Sequence, residues 1–305
     1  MHGSPNPAAQ NQRIRENLSR IQHIVMVMSG KGGVGKSTVS TNLAFSLALR
    51  GFKVGIMDVD IHGPNVPKML GIEDRQFGGT DEAIEPVQVL ENLWAASIGL
   101  VGYDPDQALI WRGPIKVGLI KQFLGDVVWG DLDYLIIDTP PGTGDETLTV
   151  AQIIPTMAGA IVVTSPQDVS ILDSRKSINF AVKLNLPVLG VVENMSGFVC
   201  PNCGTITEIF KSGGGERAAE ELVVPFLGKI PLEPHIVAAG DAGTPYIATH
   251  PESVTAQAFA KVIDNMEKQI ELYKSQGLYD KAQRELENVF ERKTVKGVEN
   301  FKPER

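Results

Sequence analysis

"IVMVMSGKGGVGKST", residues 24–38, passes from five unbroken apolar residues through a glycine-rich turn into Lys-Ser-Thr. An apolar run of this length, ended by a turn, predicts a strand covered on both faces. The segment after it, 36 to 50, has helical length and amphipathic spacing. Gly30-Lys31-Gly32-Gly33-Val34-Gly35-Lys36-Ser37 therefore meets the phosphate-loop pattern GxxxxGK(S/T) in the strand-loop-helix setting that the pattern requires. In such a loop the glycines let successive N–H groups turn inward toward phosphate oxygens, and the helix adds the positive end of its dipole. The Lys36 ammonium is expected to reach the β- and γ-phosphates, Ser37 to offer its hydroxyl to Mg2+, and Thr38 to meet the next phosphate along.

Outward from this stretch the same rhythm repeats. "KVGIMD" (53–58), "YLIID" (134–138), "AIVVTS" (160–165), "VLGVVEN" (188–194) and "FLGKIP" (226–231) are short, apolar and unbroken. Segments 145 to 154, 167 to 184 and 214 to 222 between them have helical length. Alternation of this kind predicts an α/β fold, a mostly parallel β-sheet flanked by helices on both faces, with active residues at the carboxyl ends of the strands.

A nucleotide hydrolase needs carboxylates near the phosphate loop, and two strand ends supply them. Asp138 closes "YLIID" and is placed to hold Mg2+ through water, ahead of the glycine-rich "PPGTG", which is suited to moving with the γ-phosphate. Asp58 closes "VGIMD" and Asp60 follows on the loop. Asp60 is assigned to orienting or deprotonating the attacking water; Asp58 is either a more distant Mg2+ partner or a strand-end hydrogen-bonding group. Lys31 is a second lysine that the phosphate loop does not need, and a cation there could serve a nucleotide held across a two-fold interface. Otherwise it is an exposed cation.

The chain of 305 residues with 43% hydrophobic content can bury a full core, and no run reaches the roughly 18 apolar residues of a membrane span. The polar start "MHGSPNPAAQNQ" has no apolar core of a signal peptide, so a cytoplasmic protein with reduced thiols is expected. A formal net charge of -8 argues against nucleic acid and anionic membrane as general partners. Residues 1–20 read as a polar, flexible arm, 21–265 as the nucleotide-binding domain, and 266–305 as a charged helical tail. That tail is either solvated or packed in a dimer; a membrane-surface role would want a basic face, and acidic residues are mixed all through it.

Cys200 and Cys203, the two cysteines of the chain, stand three apart in "SGFVCPNCGT", which fits a tight loop. Metal binding or redox chemistry is the expected use of such a pair. A thioredoxin-like couple would open a helix, whereas this pair follows a late strand. Tetrahedral zinc or a 4Fe-4S cluster needs about four ligands. His2, His23, His62, His235 and His250 are the histidines available, and none is near the pair in sequence. A two-fold axis meets the shortage more simply, with Cys200 and Cys203 of each subunit making four thiolates at one shared site.

"GKGGVGKST" resembles the deviant Walker A motif of the P-loop NTPase family that includes septum-positioning and plasmid-partition ATPases, the nitrogenase iron protein and tail-anchored-protein targeting ATPases. In that family a lysine at the position of Lys31 acts across a nucleotide-sandwich homodimer. "DVDIHGPNVPKMLG", "WRGP" (111–114), "DTPPGTGDE", "SPQDVSILD", "VVENMSGFVCPNCG" and "IFKSGGGERAAEELVVPFLGKIPLEP", in that order over about 22 to 265, are more specifically similar to the Mrp/ApbC branch of iron-sulfur cluster carrier ATPases. The resemblance implies ATP and Mg2+ as ligands, a homodimer with a bridging 4Fe-4S cluster, and delivery to iron-sulfur apo-proteins. It also implies that Asn194 and the backbone after Pro231 border the adenine. His62 and Asn65 depart from what relatives often carry, and the amino-terminal four-cysteine cluster of the eukaryotic branch has no counterpart before Cys200. Two alternatives share the fold. A zinc-bridged targeting ATPase would want a methionine-rich insertion, but the eight methionines are scattered. A partition or septum-positioning ATPase would want basic surfaces and has no use for the cysteines.

Overall fold

The computed structural model describes residues 7–80, 83–100, 113–154, 157–200 and 203–278. In chain order the elements begin with α1 (Pro7–Leu18), β1 (Ile21–Ser29), α2 (Lys36–Leu49), β2 (Val54–Asp58) and α3 (Val66–Leu70). A small hairpin, β3 (Gly78–Thr80) with β4 (Ala83–Glu85), precedes β5 (Val87–Leu90), β6 (Leu93–Ser97) and α4 (Gly113–Asp126). Then follow β7 (Leu132–Asp138), α5 (Asp145–Ile153), β8 (Gly159–Thr164), α6 (Asp168–Lys183) and β9 (Val188–Val199). The chain continues through β10 (Ile206–Thr207), α7 (Gly214–Leu222), β11 (Phe226–Leu232), α8 (Pro234–Asp241), α9 (Tyr246–Thr249) and α10 (Val254–Ser275).

The six expected strands are present and all pair in parallel. Strand β1 lies between β7 and β8, β2 lies beyond β7, and β9 carries β8 on one side and β11 on the other. Three further strands join the sheet: β6 parallel to β2, β5 antiparallel to β6, and β10 antiparallel to the far end of β9. The first strand shows why both faces are covered. Val25 and Val27 pack with Leu43, Leu47, Phe259 and Val262 from α2 and α10, whereas Ile24, Met26 and Met28 pack with Ile120, Phe123 and Ile178 from α4 and α6. Successive side chains of a strand point to opposite faces, so an unbroken apolar run is what two helix layers demand. Among the described residues no helix is long and apolar enough to cross a membrane.

Two boundaries differ from expectation. Within the polar arm expected over 1–20, Pro7–Leu18 is a helix with Ile14 and Leu18 each only 1% exposed, packed with Phe123 and Leu124 of α4. Two apolar residues four apart suffice to bury one stripe of a short helix. At the other end, the boundary placed at 265/266 falls inside α10, whose Met266 and Ile270 are buried in the same cluster as β1. The remainder of the expected tail, 279–305, lies outside the described residues, as do Trp111 and Arg112.

Candidate functional site

Strand β1 ends at Ser29, and the chain turns through residues 30–35 into α2. Gly33 and Gly35 adopt φ of +80° and +82°, the left-handed region that only glycine enters without strain. Gly30 is needed for a different reason: a Cβ there would collide with the backbone of Asp173 in α6. The loop is held from above by Asn194, whose amide donates to the Val34 carbonyl at 2.9 Å.

Lys36 and Ser37 are buried in the first turn of α2 and face the ends of β2 and β7. The Lys36 ammonium is 2.7 Å from Asp138 Oδ2 and 3.8 Å from Asp60 Oδ2. Asp138 is fully buried and also accepts from the Ser37 and Ser40 hydroxyls, each at 2.6 Å. A buried carboxylate is tolerable only with such donors around it. Asp58 accepts from the backbone N–H of Asp60 at 3.0 Å, from that of Val66 at 3.3 Å and from the Ser97 hydroxyl at 3.0 Å, so its oxygens hold the loop that carries Asp60. Burial first, then the charge of Asp138, pushes the Asp58 carboxyl up to about 8. Burial also raises Asp60, against the pull of Lys36. Four of the residues picked from the sequence, Lys36, Ser37, Asp60 and Asp138, thus converge on one point, with Asp58 behind them. Lys31 is exposed at the rim of the loop.

Thr38 lines a cavity of about 190 Å3 together with Thr41, Asn42 and residues of α3, α8 and α9, among them Lys68, Val237 and Tyr246. Asn42 is 4% exposed, and among the described residues its Oδ1 has no hydrogen-bond partner. Such an orphan acceptor beside a cavity fits a ligand that donates a hydrogen bond. Of the two neighbours of the adenine that the resemblance implies, Asn194 lies over the phosphate loop, and the segment after Pro231, α8, lines this cavity. Asn42 was missed, although an asparagine within "VSTNLAFSLAL" is a polar exception on a buried helix one turn after Thr38.

A second cavity, of about 140 Å3, joins the phosphate loop to the segments flanking the cysteines. Lys31, Gly32, Gly33 and Val34 line one side of it, and Met195 and Phe210 another. Beyond Met195, β9 runs to Val199 and Cys200 follows directly. The Cys200 N–H donates to the Thr205 carbonyl at 3.0 Å, and the Gly204 N–H to the Cys200 carbonyl at 2.9 Å, closing a short loop at the end of a hairpin. Cys203 is exposed, with Sγ 3.3 Å from the Thr205 hydroxyl. Hydrogen bonds from Thr205 and Cys200 hold its thiol below the ordinary value, which favours the thiolate that binds metals. Among the described residues no group of three or more His, Cys, Asp or Glu side chains gathers here or elsewhere as a metal site. Exposed Ile206 and Ile209 stand on the same hairpin.

Residues 20–267 match the ParA family model described as NUBPL iron-transfer P-loop NTPase. The chain is 51% identical over 264 residues to the iron-sulfur cluster carrier protein of Methanocaldococcus jannaschii, covering 87% of this chain and 90% of that one. It is 49% identical over 263 residues to the protein of the same name from Saccharolobus solfataricus, covering 86% and 89%. Among solved structures it is similar to the nucleotide-binding protein of Archaeoglobus fulgidus in complex with ADP, with a TM-score of 0.67, 40% identity and coverage of 76% and 91%. The cell division ATPase MinD of Pyrococcus furiosus matches with a TM-score of 0.59, 27% identity and coverage of 81% and 99%.

Proposed function

Since the chain belongs to the ParA-type iron-transfer P-loop NTPases, we propose that it is an ATP-hydrolysing homodimer that carries a 4Fe-4S cluster between its subunits and delivers it to iron-sulfur apo-proteins. The observation that carries this reading is the hydrogen-bonded pair of half-buried Cys200 and exposed Cys203, two thiols with no third ligand gathered beside them among the described residues. Two thiolates are half of a tetrahedral or cubane ligand set, and a second copy of the same loop supplies the rest. The cluster is cargo: held at an exposed seam between subunits, it can leave without unfolding either.

Nucleotide chemistry occurs beside the middle of β9, where Asn194 reaches the phosphate loop. Backbone N–H groups of residues 30–36 and the start of α2 bind the phosphates, and Lys36 neutralises charge on the β- and γ-phosphates. Thr38 lies next to the α-phosphate, and the cavity beside Asn42 receives part of the nucleoside, with the segment after Pro231 at its border and Asn194 over the phosphate loop. Ser37 and Asp138 are the groups that would hold Mg2+, the serine directly and the aspartate through water; their 2.6 Å contact puts both donors on one spot. The ion would supply positive charge to the transferring phosphoryl group. Asp60 orients the attacking water, fixed in place by the Asp58 carboxyl oxygen that accepts from its N–H. Lys31, exposed beside the loop, reaches the partner subunit's nucleotide. Met195 and Phe210, which border the phosphate loop and flank the cysteines in sequence, support a coupling in which nucleotide state alters the grip on the cluster.

Anaerobic reconstitution with iron and sulfide tests the reading, with Cys200→Ala/Cys203→Ala as control. A brown dimer with one 4Fe-4S cluster per two chains, absent from the control, is expected. A colourless protein that binds zinc in the same ratio would overturn the cluster assignment, and a cluster on a monomer would overturn the shared site.

A further inference from the structure

The loops that leave β2 and β7 carry Asp60 and Asp138 into the phosphate site, and a third element ties them together. Lys116, near the start of α4, places its ammonium 2.6 Å from His62 Nε2 and 2.9 Å from Glu146 Oε1. His62 stands two residues beyond Asp60, and Glu146 is in the first turn of α5, after the glycine-rich loop that follows Asp138. His62 Nε2 is itself 3.6 Å from Glu146 Oε1, so three groups from three segments meet.

This is not an ordinary surface ion pair. The Lys116 and Glu146 side chains are 15% and 13% exposed, so both have given up most of their water. Removing one partner of a pair this covered strands the other, which makes the arrangement hold its position. Burial alone would raise the Glu146 carboxyl; the Lys116 hydrogen bond, Glu146's own N–H and the nearby charge of Lys116 outweigh it and keep it low. The post that carries Lys116 is itself fixed: Ile120, Phe123 and Leu124 of α4 are at most 1% exposed and pack with α1 and the sheet.

We propose that Lys116 is a positioning residue for ATP hydrolysis: an ammonium on an anchored helix that holds the Asp60 loop and the start of α5 in one mutual arrangement. It acts through His62 and Glu146, not by touching the nucleotide. When both loops are in register, Asp60 stays against Lys36; when the tie is cut, each loop moves alone and the water is oriented only part of the time. The inference rests on the hydrolase reading above.

The test uses the full chain with Lys116→Met, Lys116→Arg and Glu146→Gln. Expected for Lys116→Met is a fall in kcat of roughly tenfold with KM and ADP affinity within about twofold of wild type. Lys116→Arg recovers part of that loss, and adding Glu146→Gln to Lys116→Met causes little further loss, because both cut the same tie. Amide hydrogen exchange should quicken in 59–65 and 139–146 together. Unchanged kcat with unchanged exchange would overturn the proposal, as would faster exchange in one segment alone. If Lys116→Met does not fold, Lys116→Arg and Glu146→Gln give the same comparison. A wild-type chain that hydrolyses no ATP would sink the hydrolase reading instead, and paired exchange in the two segments would still decide whether Lys116 ties them.

Discussion

At the scale of single residues, the proposed function divides the site into groups that bind and a group that turns over. Lys36 and Asp138 are paired at 2.7 Å and fully committed to the phosphate loop, whereas Asp60 reaches Lys36 only at 3.8 Å and sits on a loop. Asp60→Ala is therefore expected to retain ADP within about threefold while ATP turnover falls by roughly a hundredfold or more, read by calorimetry and phosphate release. Loss of binding in proportion to turnover would assign Asp60 to the phosphate pocket instead. The phosphate-loop residues were legible in the sequence because their chemistry is carried by backbone conformation, and Gly33 and Gly35 advertise the left-handed turns they adopt. Asn42 was not, because its importance depends on which face of α2 a cavity opens against, and that is decided by α3, α8 and α9 from far along the chain.

Elements were legible where apolar runs are long and illegible where burial is local. Six parallel strands could be read from unbroken β-branched stretches, but β6, "LWAAS", mixes Trp94 with small residues and shows no such run. The helix over Pro7–Leu18 is mostly polar, and only Ile14 and Leu18 reveal that it docks on α4. One element carries an evident cost. Helix α7 is capped by Val223, a β-branched residue with φ +56° and 90% exposure, in the left-handed position that glycine normally fills. Val223→Gly should raise stability by about 1 kcal/mol, seen as a higher denaturant midpoint at unchanged m-value. A lower midpoint would mean that the side chain packs against something in solution, such as a second copy.

Across the whole molecule, the end of α10 reaches the rim of the sheet where β1 begins. His23 is nearly buried there, 5.1 Å from the Tyr134 ring and 3.3 Å from the Lys274 ammonium at the end of α10. Burial first, then the charge of Lys274, lowers its pKa from 6.5 to about 4, against a weaker upward pull from Asp133. The folded chain thus stays unprotonated between pH 6.5 and 4 while the unfolded chain takes up a proton, so stability falls as pH drops through that window and levels off below it. His23→Gln should remove on the order of 1–2 kcal/mol of this pH dependence, a discounted figure because the ring lies at the sheet rim, measured by denaturant titration at pH 7 and 4.5. Equal slopes in both proteins would show that His23 is not the group responsible. Fold class was readable at this scale from strand and helix alternation alone; the docking of α1 on α4 and of α10 on the sheet was not.

Strand β9 gives the molecule a lever. Asn194 grips the phosphate loop near its middle and Cys200 lies just past its tip, six residues and up to about 20 Å away at the rise of extended backbone. Met195 and Gly197, both at positive φ, form the joint where this arm bends. Tilting an arm of that length by about 5° carries its tip about 2 Å, close to the length of a metal–sulfur bond, roughly 2.3 Å in zinc sites. In the proposed dimer, an angular adjustment too small to disturb the sheet is therefore large enough to decide whether four sulfurs from two arms still meet.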